Sequence, residues 1–309
     1  VVRGTVFGFA VDSAVCFQFL RGGEGMPLTV VPEDGPAASG EPLLQWHEPG
    51  ADQPFARLFG ADGGRFRLWI AGVGWYTSDP AAARVGIPPT GVPARVEERA
   101  WGLPLMLCFR HRGGVPLHAA AVQIGDRAVL LTGASGAGKT TLAAACHQAG
   151  HRLLSEDLSC VVFDAALGPF PAGAGAAVVP GPALLRLRPD VAAVLGPIDG
   201  EPVDGPPERV RIALAPERRG DCRPVPLGAV VFLDTGDDLA VAAVDPTRAV
   251  QDLWVASFRF PTVAERARSF DEVVRLADAV PAFALRRPLR PDALGAAVDA
   301  LAGIAGGHP

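Results

Sequence analysis

Gly133-Ala134-Ser135-Gly136-Ala137-Gly138-Lys139-Thr140-Thr141 matches the full pattern G-x-x-x-x-G-K-[ST] of a phosphate-binding loop. Lys139 is the only lysine of the 309-residue chain; every other one of the 28 basic residues is arginine. A planar guanidinium does not replace a slim ammonium that must lie along the β- and γ-phosphates under a tight glycine turn. The motif also has the context it needs. Arg127 to Thr132 reads as a strand, and Thr140 to Ala149 as an Ala-rich helix stopped by Gly150. Backbone N–H groups of Gly133, Ala134, Ser135, Gly136, Ala137 and Gly138 are expected to cradle ATP phosphates, with Thr141 behind them in the first helical turn. Lys139 is expected to reach the terminal phosphates, and the Thr140 hydroxyl to sit on Mg²⁺.

Outward from the loop, Val115 to Val122 and Arg127 to Thr132 form two strands around a Gly125-Asp126 turn. Arg152 to Leu154 is a short strand, Ser155-Glu156-Asp157 an acidic corner, and Leu158 to Phe163 a further strand. Pro169 to Pro182 reads as a loop, Leu184 to Leu195 as a helix, and Asp199 to Glu208 as a mobile Pro-rich segment. Val225 to Leu233 is a buried strand, Pro246 to Phe260 and Asp271 to Ala279 are helices, Ala282 to Leu285 is a strand, and a last helix spans Pro291 to Ile304. Upstream, residues 1–95 form a β-rich unit in which Thr5–Val11, Val15–Leu20 and Arg65–Ile70 are strands, with polar loops at Pro32–Pro42 and Glu48–Gln53. The Trp46-His47-Glu48 and Gly74-Trp75-Tyr76 clusters read as strand ends and packing residues. A linking helix from Val96 to Arg110, stopped at Gly113-Gly114, opens a second unit over residues 96–309.

Composition narrows the function. A net charge of −5 argues against an electrostatic nucleic-acid partner. The longest uncharged stretch, Ala165 to Leu185, is broken by prolines and predicts no membrane span. The opening Val1-Val2-Arg3-Gly4-Thr5 lacks the succession of a secretory signal, and the five scattered cysteines read as buried free thiols, so a cytoplasmic protein is expected. The absence of a second lysine rules out the guanine motif N-K-x-D, and no L-S-G-G-Q stretch supports an ABC-type ATPase. Magnesium needs a nearby carboxylate, for which Glu156-Asp157 and Asp234 at the end of the Val230–Leu233 run compete. Asp234 also suits a plain turn in Asp234-Thr235-Gly236. Arg209 and Arg211 are read either as a phosphate clamp or as alternating residues on a strand.

Taken together, the glycine loop, Ala149-Gly150-His151-Arg152-Leu153-Leu154-Ser155-Glu156-Asp157 and the upstream Leu117-His118-Ala119-Ala120 resemble the catalytic domain of the HPr serine kinase/phosphorylase family. There the loop reads G-x-S-G-x-G-K-S and a G-H-x-L-x-x-D-D segment follows it. The resemblance covers residues 113–305, weakly toward its end. It implies a mixed α/β P-loop kinase domain of the HPr-kinase type, preceded by a small β-rich domain. It further implies Asp157 as the metal-proximal carboxylate, Glu156 as the base toward the acceptor hydroxyl, and His118 near the transferred phosphoryl group. Residues 1–95 do not match the amino-terminal domain of the bifunctional enzymes, nor is the dephosphorylation signature found. The layout is closer to the HPr-kinase-like proteins of lasso-peptide and other ribosomal-peptide pathways. The implied function is an ATP- and Mg²⁺-dependent serine kinase acting on a precursor peptide or small protein, with homo-oligomerisation left open. A small-molecule hydroxyl kinase and a nucleotide-dependent ATPase or switch are the alternatives.

Overall fold

The computed structural model describes residues 4–35, 38, 40–47, 51–89, 93–167, 170–260 and 262–307. Val1 to Arg3, Glu48 and Pro169, on which parts of the sequence reading fall, lie outside them.

The amino-terminal third is one eight-stranded sheet: β1 (Gly4–Val6), β2 (Phe9–Asp12), β3 (Met26–Pro32), β4 (Leu44–His47), β5 (Pro54–Ala61), β6 (Arg65–Ile70), β7 (Gly74–Asp79) and β8 (Arg84–Ile87). Their order is β1-β2-β3-β8-β7-β6-β5-β4, which leaves β4 on an edge. The predicted Thr5–Val11 strand is a hairpin, because Phe7 and Gly8 both take positive φ and turn the chain back on itself. Val15–Leu20 is not a strand. The backbone N–H groups of Gln18 and Phe19 donate instead to the buried Glu97 carboxylate, at 2.6 and 2.7 Å. That carboxylate also accepts from Trp101 Nε1 at 3.0 Å. Gly74, Trp75 and Tyr76 begin β7: the Trp75 ring tilts against Phe59, and the buried Tyr76 hydroxyl donates to the Val96 carbonyl.

The predicted linking helix is two, α1 (Ala94–Ala100) and α2 (Leu103–His111), interrupted at Gly102, whose ψ of −128° is not helical. Their apolar faces join one cluster with Val6, Leu28, Leu68 and Tyr76 of the first sheet and Cys160, Val162 and Val179 from beyond. The core therefore runs continuously across residue 95.

The remaining elements are β9 (Val115–Leu117), β10 (Ala120–Ile124), β11 (Arg127–Gly133), α3 (Lys139–Gln148), β12 (Arg152–Ser155), β13 (Ser159–Val162), β14 (Ala177–Val179), β15 (Leu184–Leu187), α4 (Pro189–Leu195), β16 (Gly200–Val203), β17 (Val210–Leu214), α5 (Pro216–Arg219), β18 (Val225–Thr235), β19 (Ala240–Ala243), α6 (Pro246–Ala256), α7 (Val263–Ala279), β20 (Ala282–Arg287) and α8 (Leu294–Ala305). A nine-stranded mixed sheet carries the glycine loop. β11 lies between antiparallel β10 and parallel β18, and β20 extends the parallel part beyond β18.

Near-continuous apolar runs in β11 and β18 follow from burial on both faces. Val129, Leu131, Val231 and Leu233 face a cluster with α3 and α8, while Leu130, Val230 and Phe232 face the cluster that includes α6 and α7. Mixed α/β architecture with several sheets is thus what the chain adopts.

Several predicted boundaries move. The Pro/Gly loop contains β14, the Asp199–Glu208 segment contains β16, and Leu184–Leu195 divides into β15 and α4 at Arg188-Pro189. Proline at the first helical position explains the last break: it suits a helix start and biases the preceding residue to extended backbone, and Arg188 has ψ 146°. β15, β17 and β16 make a separate three-stranded sheet. Four of the five cysteines are buried, but Cys16 is exposed. No helix among the described residues is long and apolar enough to cross a membrane.

Candidate functional site

The glycine loop leaves the end of β11 and enters α3. Gly133 has φ +139°, and a Cβ there would meet the Leu233 carbonyl oxygen of β18 at 2.6 Å. Gly138, with φ +84°, would bring a Cβ to 2.4 Å from an Arg287 guanidinium nitrogen. At Gly133 both conformation and backbone crowding require glycine, while at Gly138 the positive φ is the constraint, since the Arg287 guanidinium is a side-chain end that can move. Ala134, Ser135 and Gly136 form the exposed crest, while Ala137 packs into the core below. Lys139 is buried, and its Nζ donates to the carbonyls of Gly133 at 2.9 Å and Ala134 at 3.3 Å. Burial lowers its pKa, with Asp157 and Glu156 pulling the other way.

The acidic corner follows β12, two strands from β11 across β10. Glu156 Oε1 accepts a hydrogen bond from the Thr140 hydroxyl at 2.7 Å. Asp157 Oδ1 is 3.4 Å from His118 Nδ1, and its charge also acts on Lys139. The resemblance implied Asp157 near the metal and Glu156 toward the acceptor hydroxyl. Exposure separates the two: the Glu156 side chain is 8% exposed and that of Asp157 47%. Burial raises the Glu156 pKa, reinforced by Asp157 and opposed by Arg186. For Asp157, burial also pushes upward, but Arg186, His118 and Lys139 outweigh it and the pKa falls below the usual carboxylate value.

Arg186 was not singled out by the sequence, where it sat in a predicted helix. On β15 its guanidinium spans three carboxylates: Glu156 at 2.8 Å, Asp157 at 3.0 Å and Glu98 of α1 at 2.8 Å. Arg211 of β17, buried and paired in register with Arg186, holds the other oxygen of Glu98 at 2.9 Å. Arg211 is therefore an inward strand residue that braces the cluster, while Arg209 is exposed. Leu185-Arg186-Leu187 and Val210-Arg211-Ile212, two runs with one arginine between apolar residues, were the signal available; the intervening helix reading hid it.

His118 occupies a break between β9 and β10. Its N–H donates to the Ala256 carbonyl at 2.7 Å, and its own carbonyl accepts from the Thr132 hydroxyl at 3.4 Å. Ser155 and Ser159, 2.6 Å apart, tie the corner to this break because the Ser159 hydroxyl donates to the Ala119 carbonyl. Arg21, buried in the amino-terminal unit, donates to the carbonyls of Leu153, Leu154 and Gly181 and so fixes the strand that presents the two acids. Asp234 is exposed near the end of β18, paired with Arg286 of β20, and its carboxylate accepts from the Thr235 N–H at 2.8 Å. Thr141 lies partly exposed on the first turn of α3.

Thr140 and the acidic pair offer an all-oxygen donor set of the kind Mg²⁺ takes, since the hydroxyl already meets a carboxylate oxygen. Among the described residues no three His, Cys, Asp or Glu side chains gather into a metal-holding group by themselves.

No family model matches the chain, and no curated protein matches its sequence. Among solved structures it is similar to the Hpr(Ser) kinase/phosphatase from Coxiella burnetii, with a TM-score of 0.32 and 9% identity over 62% of this chain and 95% of that one. An overlap this loose equates no residue of one chain with a residue of the other.

Proposed function

We propose that the protein is an ATP-dependent kinase that transfers the γ-phosphoryl group to a hydroxyl, with a serine of a peptide or small protein as acceptor. A ribosomal precursor peptide is the acceptor class implied by the sequence resemblance. One observation carries the reading: the hydroxyl of the phosphate-binding loop is hydrogen-bonded to one carboxylate of an adjacent pair, and the second carboxylate lies 3.4 Å from His118. A purely nucleotide-binding module has no need of the second acid; hydroxyl transfer does.

The chemistry follows from the placement. The loop amides and the amino end of α3 bind the phosphates, and Lys139 exchanges its two carbonyl partners for the terminal phosphate oxygens. Thr140 and Glu156 would hold Mg²⁺, which when bound offsets charge on those oxygens. Asp157, the exposed acid, accepts the proton of the attacking hydroxyl, and His118 orients it through the 3.4 Å contact. Arg186 keeps the two acids apart in role, since its fork neutralises one face of each.

Incubation with γ-labelled ATP and candidate peptides tests this. Label on the peptide, lost in Lys139→Ala and in Asp157→Ala, is the expected result. Retained transfer in either variant overturns the assignment of the site, and free phosphate without labelled peptide identifies an ATPase.

A further inference from the structure

Beside the acidic corner lies a cavity of about 270 Å³. Its charged end is formed by Glu98, Arg99, Glu156, Asp157 and Arg186. Apolar side chains from the amino-terminal sheet and its flanking helices make the other walls. Trp46 comes from the edge strand β4, Phe55 from β5 and Ile70 from β6; Leu103 and Met106 of α2 and Phe258 complete the enclosure. Trp46, Phe55, Leu103 and Phe258 are only half-buried. Phe258 is fixed in place because its N–H donates to the Pro116 carbonyl of β9, next to the break that carries His118.

Two properties of these walls define what fits. Three carboxylates face two guanidiniums, so there is no surplus positive charge to receive a phosphorylated or otherwise anionic acceptor. Half-buried aromatic rings surrounding a void leave apolar surface uncovered, and covering it is favourable. The volume lies at the small end for ligand cavities and suits one aromatic or branched aliphatic group.

We propose that this cavity is the acceptor subsite. It takes a bulky uncharged side chain immediately adjacent to the target serine of a peptide, so that the amino-terminal sheet selects the acceptor. The proposal rests on the kinase reading above. With the apolar side chain seated, the serine hydroxyl lies at Asp157. Its oxygen bonds to the γ-phosphorus while Asp157 takes the hydroxyl proton, and the bond from that phosphorus to the bridging oxygen breaks to release ADP.

The test uses the full chain with Mg²⁺ and a non-hydrolysable ATP analogue. Tryptophan fluorescence is followed during titration with N-acetyl-Phe-Ser-amide, N-acetyl-Ala-Ser-amide and N-acetyl-Asp-Ser-amide; Trp46 and Trp101 both line the cavity. The Phe-Ser peptide is expected to bind about tenfold or more tightly than the other two. Phe55→Ala, and the milder Phe55→Leu, are expected to narrow that preference. With ATP, the same variants should raise KM for the Phe-Ser peptide more than they lower kcat. Equal binding of the three peptides, or none at millimolar concentration while the analogue binds, overturns the subsite and leaves the nucleotide site standing. Selective binding without labelled product keeps the cavity as a peptide-binding site but overturns its acceptor role together with the kinase reading, and failure of the analogue to bind overturns the nucleotide site itself.

Discussion

Lys139 and Arg186 are cations of one site held by opposite kinds of partner. Lys139 rests on the carbonyls of its own loop, with burial lowering its pKa. Arg186 is gripped by Glu156, Asp157 and Glu98; burial disfavours its charge, but these acids outweigh it and raise the pKa well above the ordinary value. The loop half of the site is therefore left without a paired counter-charge, which on the proposed reading an arriving triphosphate would supply. Across it, the acidic half is neutralised in advance by side chains from α1, β15, β17 and the corner after β12. A buried charge cluster of that kind costs desolvation and holds only while every member is present. One half is built to change partners and the other to stay fixed.

The sharpest break in this contrast is Lys139→Ala. Labelled transfer should fall by about 10³-fold or more, because the cation on the moving phosphoryl group is gone. The thermal midpoint should shift by only a few degrees, roughly, since just two carbonyl contacts are lost. Circular dichroism melting beside the transfer assay checks both.

Next in size, Asp157→Asn should lower kcat by about 10²–10⁴-fold, the range of general-base contributions. Glu156→Gln should show itself foremost as a rise of about tenfold or more in the Mg²⁺ concentration needed for half-maximal rate. If the two phenotypes are exchanged, the carboxylate roles run as the sequence resemblance implied.

On the fixed half, Arg186→Met should cost about 3–5 kcal/mol of folding stability in denaturant titration, since three acids lose a shared partner. Arg186→Lys should restore little of it, because an ammonium does not fork across three carboxylates. A wild-type midpoint in the methionine variant would show that the cluster is not a frame.

The pH profile distinguishes the two acids by sign. A base acts only when deprotonated, so activity is lost as the pH falls through its pKa. With Asp157 held low, mainly by Arg186 against the effect of burial, kcat/KM should stay flat as the pH falls through the ordinary carboxylate range and drop only below it. With Glu156 raised by burial, a Glu156 base would lose activity above that range. The smallest effect is expected from Asp234→Asn, within about twofold, since its exposed carboxylate bonds only the next backbone N–H of its own strand. A loss beyond about tenfold there would move a metal ligand to β18.

Much of this contrast follows what lies together along the chain. The loop, its strand and its helix are contiguous, so Gly133, Gly138, Lys139 and Thr140 were legible as a unit. Glu156 and Asp157 were legible as a pair near it, but not which one would meet Thr140. That depends on the path of β12, which Arg21 anchors from the other end of the chain. His118 was visible only through the resemblance, because the break that exposes it lies inside what reads as one strand. Arg186 was missed because Leu184–Leu195 carries both strand and helix signals. Trp46, read as a packing residue, also lines the cavity, which no local pattern distinguishes.

By itself the sequence determined the glycine loop with its strand and helix, since that motif is contiguous along the chain, and it determined the near-continuous apolar runs that burial of β11 and β18 on both faces requires. Tertiary structure alone decided which acid faces the loop hydroxyl, which arginine binds the acids together, and that the amino-terminal sheet helps wall the cavity beside them. Those are contacts between segments tens to more than a hundred residues apart. Side-chain charges at that separation carry no mark of their partner until packing has fixed the backbones that bring them within hydrogen-bonding distance.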